Sequence, residues 1–187
     1  MHRLFFALWP ENSVRDALKE IVRQLRPNIT ARWIEPENLH ITLAFLGDVA
    51  TGRLPDLAQA AETVSSLSSV CVDLSLDRVE HWRKPQVICL TPSTHSPVLG
   101  RLAANLSNNL RDRGFQLEAR PYRAHVTLAH KASTPPMGFH LEHPINWKSS
   151  YFVLVESAHD IRGSHYTPLQ SWPLHELMPP SQTSHIG

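Results

Sequence analysis

Apolar and polar positions along this chain fall into segments with two periods, near 2 and near 3.6, punctuated by proline and glycine. Arg3 to Leu8 is a nearly continuous apolar run and predicts a strand. Val14, Leu18, Ile21, Val22 and Leu25 then follow helical spacing up to Pro27, with Ser13 as N-cap and Asp16 in the first turn. Arg32-Trp33-Ile34 predicts a short strand and Pro36-Glu37-Asn38 a turn. Leu39 to Leu46 predicts a strand stopped by Gly47-Asp48. Leu54, Leu57, Ala61, Val64 and Leu67 mark a second helix. Val70, Val72, Leu74 and Leu76 alternate strictly, as in a half-buried strand. Trp82 to Pro85 turns the chain into a strand over Gln86 to Leu90. Leu99, Leu102, Leu106 and Leu110 carry a third helix ending near Gly114. Tyr122 to Ala129 predicts a strand, and residues 133–148 a long loop. Tyr151 to Glu156 and His165 to Leu169 predict a hairpin pair.

Helices and strands mix here without the regular alternation of a doubly wound sheet. That favours α+β, with helices outside an antiparallel or mixed sheet. One phrase occurs twice. His40-Ile41-Thr42-Leu43-Ala44 returns in the second half of the chain as His125-Val126-Thr127-Leu128-Ala129. Each copy has a helix and further strands around it, so a pseudo-two-fold arrangement is expected.

Composition adds limits rather than a function. Of 187 residues, 42% are apolar and 19% charged, ordinary values for a globular domain large enough for a substantial core. No apolar run approaches the roughly 20 residues of a membrane span. The apolar start reads as a strand and not as a signal peptide, so the cytoplasm is expected. Cys71 and Cys89 are expected to be buried free thiols. A net charge of +1 argues against a protein that coats nucleic acid, and leaves room for a patch that holds one or two phosphates.

The repeated phrase is the candidate chemistry. Strand alternation points His and Thr of each copy to one face, and the apolar residues between them to the other. Two imidazoles across a phosphoester form a base and acid pair near neutral pH, and hydroxyls two residues on can donate to phosphate oxygens. A strained cyclic phosphate suits such a site without a metal. Either histidine can be the acid on these grounds. A zinc site would need further ligands at metal spacing. Glu35, Glu37 and Asp48 lie in turns, and no Cys-x-x-Cys or His-Glu-x-x-His is present. No glycine-rich phosphate loop implies ATP. The histidines outside the two motifs and position 130 read as surface or loop groups.

With their flanks, these motifs resemble the 2H phosphoesterase superfamily, and within it the RNA 2′,3′-cyclic phosphodiesterases of the LigT/ThpR type, historically called 2′-5′ RNA ligases. Arg3 to Leu8 is similar to the family's opening strand, Arg32 to Gly47 to its first motif region, and Arg120 to Ala129 to its second. The resemblance implies a bilobal α+β fold with a central cleft over residues 1–178. The polar tail at 179–187 is expected, from its composition, to be disordered. The resemblance also implies hydrolysis of RNA 2′,3′-cyclic ends, or of cyclic nucleotides, to 2′-phosphomonoesters without a cofactor. By carry-over, His40 is the proton donor and His125 the proton acceptor, while Thr42 and Thr127 hold phosphate oxygens.

One position departs from the family. A basic Arg or Lys often follows the second motif, where this chain has His130. Strand parity would put His130 opposite His125 unless the strand ends at Ala129. His130 and Arg123 are candidate substrate contacts. Arg83 and Lys84 are weaker candidates for lining the cleft, as are Trp33, Phe5 and Tyr122 for stacking a base. A monomer is expected. Competing functions are 2′-5′ ligation by the reverse reaction, hydrolysis of an ADP-ribose cyclic phosphate, and non-catalytic binding of RNA or a nucleotide.

Overall fold

The computed structural model describes residues 1–67, 71–136, 139–160 and 163–174. The tail expected at 179–187 lies outside the described residues. Strand β1 (His2–Leu8) is followed by α1 (Asn12–Leu25), the short β2 (Arg32–Trp33) and β3 (Ile41–Val49). Next come α2 (Leu54–Leu67), β4 (Val72–Leu76), β5 (Arg78–Trp82), β6 (Val87–Thr91) and α3 (Pro97–Asp112). The last strands are β7 (Val126–His130), β8 (Ile145–Ser149), β9 (Tyr151–Asp160) and β10 (Gly163–Pro173). The architecture is α+β, and every strand pair among the described residues is antiparallel.

The main sheet runs β10-β9-β1-β3-β7-β6-β5, with β2 pairing to β7, and β4 and β8 form a separate ribbon. The repeat in the sequence is a repeat in the fold. β1, α1 and β3 begin at His2, Asn12 and Ile41, and β6, α3 and β7 begin at Val87, Pro97 and Val126. Each element of the second set follows its counterpart at the same interval that separates His40 from His125. The halves also exchange edges. β9 of the second half flanks β1, and β5 of the first half flanks β6. The motif strands meet at the centre through one residue pair, Ile41↔Val126. Beyond it β7 is paired by β2 instead, through Trp33↔Ala129 and Arg32↔His130.

One face of the sheet is closed by helices. The apolar stripes of α1 (Val14, Leu18, Ile21, Val22, Leu25) and α3 (Leu99, Leu102, Leu106, Leu110) join Leu4, Phe6, Leu8, Ile41, Val126 and Leu128 in one core. Trp147 of β8 is fully buried there. A smaller apolar cluster of Phe5, Ala7, Val153 and Val155 covers the other face of β1, beside Trp9, Tyr151 and Tyr166. β1 is therefore buried on both sides, which explains its unbroken apolar run.

Several boundaries differ from the sequence expectation, each for a local reason. α1 begins at Asn12 after Glu11, and Ser13 is inside it and makes no cap. α3 has its cap where the chemistry favours one, with Ser96 accepting from the Leu99 amide ahead of Pro97. Leu67 is exposed at the end of α2, because the buried stripe uses Ala60 and Ser65 instead. β5 has no counterpart in the sequence expectation. It is a polar strand at the edge of the sheet, so no hydrophobic alternation marks it. β8 lies in the segment read as loop, although Ile145, Trp147 and Ser149 are buried and alternate with exposed Asn146 and Lys148. Cys71 and Cys89 are free thiols, the first half-buried and the second buried.

β3 does not stop at Gly47-Asp48 but runs through to Val49. Gly47 takes φ of +68° within it, at a register shift against β1. Only glycine adopts that backbone cheaply. Gly47→Ala is expected to lower unfolding stability by about 1–2 kcal/mol through backbone strain alone. The added methyl would meet nothing closer than 3.9 Å. Urea unfolding of the two proteins measures this.

Candidate active site

The two motifs stand at the central seam of the sheet. Ile41 and Leu43 of the first and Val126 and Leu128 of the second are buried in the helical core. His40, Thr42, His125 and Thr127 alternate with them and are half-buried on the opposite face. Continuing the Ile41↔Val126 register by one residue each way sets His40 across from Thr127, and Thr42 across from His125. Four chemistry-bearing groups from distant parts of the sequence thus converge in a crossed square.

Both imidazoles are oriented in the same way. His40 Nδ1 lies 2.6 Å from the carbonyl oxygen of Asn38, and His125 Nδ1 lies 2.8 Å from that of Arg123. A carbonyl only accepts, so each Nδ1 carries the proton and donates it. Nε2 is then the nitrogen left for other partners. At His40 it accepts from the Thr42 hydroxyl at 3.0 Å.

Their surroundings differ. His40 stacks on Phe5 (4.8 Å between ring centres) and Trp9 (5.7 Å), and meets the edge of Tyr166 at 5.3 Å. Burial in this aromatic wall pushes its pKa down to about 4. The Asn38 carbonyl opposes the shift, and the charge of His125 adds to it. His125 sits 4.6 Å from Trp82 beside Arg123 and Arg120. Burial lowers its pKa first, and the two arginines lower it further, against the Arg123 carbonyl and Glu80. Both imidazoles therefore favour the neutral form. An anionic substrate between them would reverse that preference, because its charge favours the imidazolium.

A β-bulge decides the place of His130. Thr127 pairs with Cys89 but Ala129 pairs with Ile88, so Leu128 is an extra residue in β7. Leu128 and Ala129 are both buried, and His130 returns to the face of His125 and Thr127, across from Val87. Simple strand parity, which puts His130 on the opposite face, fails for this reason. Its cross-strand neighbour on β2 is Arg32, whose charge lowers the His130 pKa after burial does. Thr127 is hydrogen-bonded to the Cys89 thiol, and burial pushes that thiol up to about 12, so it stays protonated.

Other candidates fall in different places. The Arg123 guanidinium is paired with Glu80 and lies 4.7 Å over the Trp82 ring. It precedes β7, which starts at Val126 and not at Tyr122. Phe5 is buried beneath His40, and Trp33 and Tyr122 pack against the helical core. Arg83 and Lys84 are exposed in the turn between β5 and β6. Sequence reading missed Asn38, Trp9, Tyr166, Glu80 and Trp82, none of which has a motif of its own. Among the described residues no three His, Cys, Asp or Glu side chains are grouped to hold a metal ion. No helix among them is long and apolar enough to cross a membrane.

The model of the family described as LigT like Phosphoesterase matches residues 8–89, which include the first motif. The RNA 2′,3′-cyclic phosphodiesterase of Escherichia coli (strain K12) is 30% identical over 178 residues, spanning 92% of this chain and 96% of its own length. The chain belongs to the LigT-like phosphoesterase family. This LigT-like chain also superposes on the E. coli LigT crystal structure in apo form with a TM-score of 0.81, at 27% identity, over 94% of this chain and 98% of that one. E. coli LigT has also been solved in complex with 3′-AMP, and that structure gives the same TM-score of 0.81 at 27% identity, over 92% of this chain and 98% of that one.

Proposed function

We propose that this LigT-like protein hydrolyses RNA 2′,3′-cyclic phosphate ends to 2′-phosphomonoesters by two-histidine acid–base catalysis. The observation that carries this reading is the matched pair of imidazoles at the sheet seam, each with Nδ1 committed to a carbonyl. Each therefore offers Nε2, the strand register sets a threonine across from each, and both are neutral before substrate binds. The names of its relatives point to the same reaction.

In the proposed step, His125 Nε2 takes a proton from water, whose oxygen forms a bond to phosphorus. The bond from phosphorus to the 3′ oxygen breaks, and His40 gives that oxygen its Nε2 proton. The phosphate stays on the 2′ oxygen. Thr42 and Thr127 donate to the non-bridging oxygens, which gain charge in the transition state. His40 must be protonated for its part. The monoanionic phosphate supplies the field that favours this, so substrate binding is coupled to proton uptake. The assignment of donor to His40 and acceptor to His125 follows the family resemblance. Arg123 and His130 contact the substrate beyond the phosphate, His130 through its place on the site face beside Arg32. A monomer as the acting unit is part of this proposal.

The test is an RNA oligomer ending in a 2′,3′-cyclic phosphate, incubated with the protein and EDTA. A 2′-phosphomonoester is expected. A 3′-phosphomonoester would overturn the geometry of attack. Binding without turnover would point instead to a non-catalytic module.

A further inference from the structure

The carbonyls that hold the two imidazoles need holding themselves. Asn38 lies in a single 3-10 turn, Pro36–Asn38, and Arg123 in the irregular segment before β7. Neither belongs to a strand, so no ladder fixes its carbonyl. In each case the side chain of the same residue ties it to an outer hairpin of the sheet. Asn38 Nδ2 donates to the Ser164 carbonyl at 2.8 Å, and its Oδ1 accepts from the Tyr166 amide at 3.3 Å. It pairs with the β10 backbone as a neighbouring strand would. Arg123 donates to Glu80 on β5, and Glu80 also accepts from Trp82 Nε1 at 2.6 Å. Asn38 and Arg123 each stand two positions before their motif histidine, so the device is duplicated with the fold although its chemistry differs.

The consequence is a choice of tautomer. A neutral imidazole carries its proton on Nδ1 or Nε2, and the partner of one nitrogen sets the state of the other. An acceptor held at Nδ1 keeps Nε2 bare. If the carbonyl drifts, the bond weakens and the proton can move to Nε2: at His125 that nitrogen then cannot take one from water, and at His40 it cannot take up the proton that turns the ring into the imidazolium acid. We infer that Asn38 and Glu80 are positioning residues: each fastens one outer hairpin to the carbonyl that keeps its histidine in the Nδ1–H tautomer. Asn38 serves His40 directly. Glu80 serves His125 through Arg123. The inference rests on the proposed acid–base role of the histidines only for its effect on activity. The tautomer can be read without it.

The experiment is long-range ¹H–¹⁵N NMR of the imidazoles in ¹⁵N-labelled full-length protein at pH 8, where both rings are neutral, alongside kinetics on the cyclic-phosphate RNA. In Asn38→Ala, His40 is expected to gain Nε2–H character while His125 keeps its spectrum. In Glu80→Ala the pattern reverses. kcat is expected to fall about 10–100-fold in each, with KM changed less than about threefold. Glu80→Gln retains a side-chain acceptor for Arg123 and Trp82 but loses the charge. It should keep the His125 tautomer while the His125 limb of the pH–rate profile moves to lower pH, because the carboxylate favours the imidazolium. Should Asn38→Ala fail to fold, Asn38→Asp replaces it. That variant keeps the acceptor for Tyr166 N–H and sets an oxygen against the Ser164 carbonyl, and a smaller shift confined to His40 is expected. Unchanged tautomers in the variants, or both histidines changing together in each, would overturn the inference. A tautomer shift specific to one histidine with unchanged kcat would leave the positioning intact and overturn that histidine's catalytic assignment.

Discussion

His40→Ala and His125→Ala are each expected to reduce turnover of a cyclic-phosphate RNA about 10²–10⁴-fold, the usual contribution of a positioned acid or base. KM should change little, because the threonine hydroxyls and the groups beyond the phosphate remain. The double variant should lose far less than the product of the two single losses, since groups that act as a unit are not additive. Steady-state kinetics on three purified variants measures this, and near-normal turnover by either single variant would refute the site. The two losses can also be told apart chemically. A substrate with sulfur in place of the 3′ oxygen needs little protonation on leaving. It should restore much of the activity of the variant that lacks the acid, and little in the variant that lacks the base. If His40 is the donor, His40→Ala is the one rescued.

A second large effect concerns stability in acid. In the unfolded chain a histidine titrates near 6.5, whereas His40 in the fold is pushed down to about 4. Between these values the unfolded chain binds more protons, so protonation draws the equilibrium towards it. The contribution of His40 is fully present above pH 6.5 and is lost as pH falls through 6.5 towards 4. A shift of this size corresponds to about 2–3 kcal/mol once the partial exposure of the residue is allowed for. His125 and His130, also lowered, act in the same direction. Denaturant unfolding at pH 7 and pH 4.5 should show a clearly smaller acid loss in His40→Gln than in the parent protein. Equal losses would mean that the aromatic wall does not desolvate His40.

This linkage also bears on function. A site that holds two neutral imidazoles avoids their mutual repulsion until an anion arrives. In the proposed mechanism, substrate charge then helps to load the acid. The wall of Phe5, Trp9 and Tyr166 is what keeps His40 unprotonated beforehand, and it is assembled from both ends of the chain.

Much of this molecule is legible in its sequence because the relevant signals are local. Helical spacing in α1 and α3 reflects one buried stripe each. The alternation His-Ile-Thr-Leu and His-Val-Thr-Leu already separates a polar face from a core face. The recurrence of the motif in the second half of the chain already implies two equivalent halves. Polar strands without alternation carry no such signal, and β5 is the costly case, since it holds Glu80 and Trp82. His130 defeats strand parity because a bulge adds a residue to β7 without any mark in the sequence beyond two successive apolar positions.

Which groups are candidates for the chemistry is a local property of the sequence, since side-chain identity and strand parity belong to a few consecutive residues. How those groups are tuned depends on the folded chain. Which rings surround His40, which carbonyl each imidazole holds, which hairpin anchors that carbonyl, and which face His130 takes all depend on pairings between distant segments or on a register shift. Burial and hydrogen bonding are fixed by neighbours in space, and a chain met as a sequence names its neighbours only along its length.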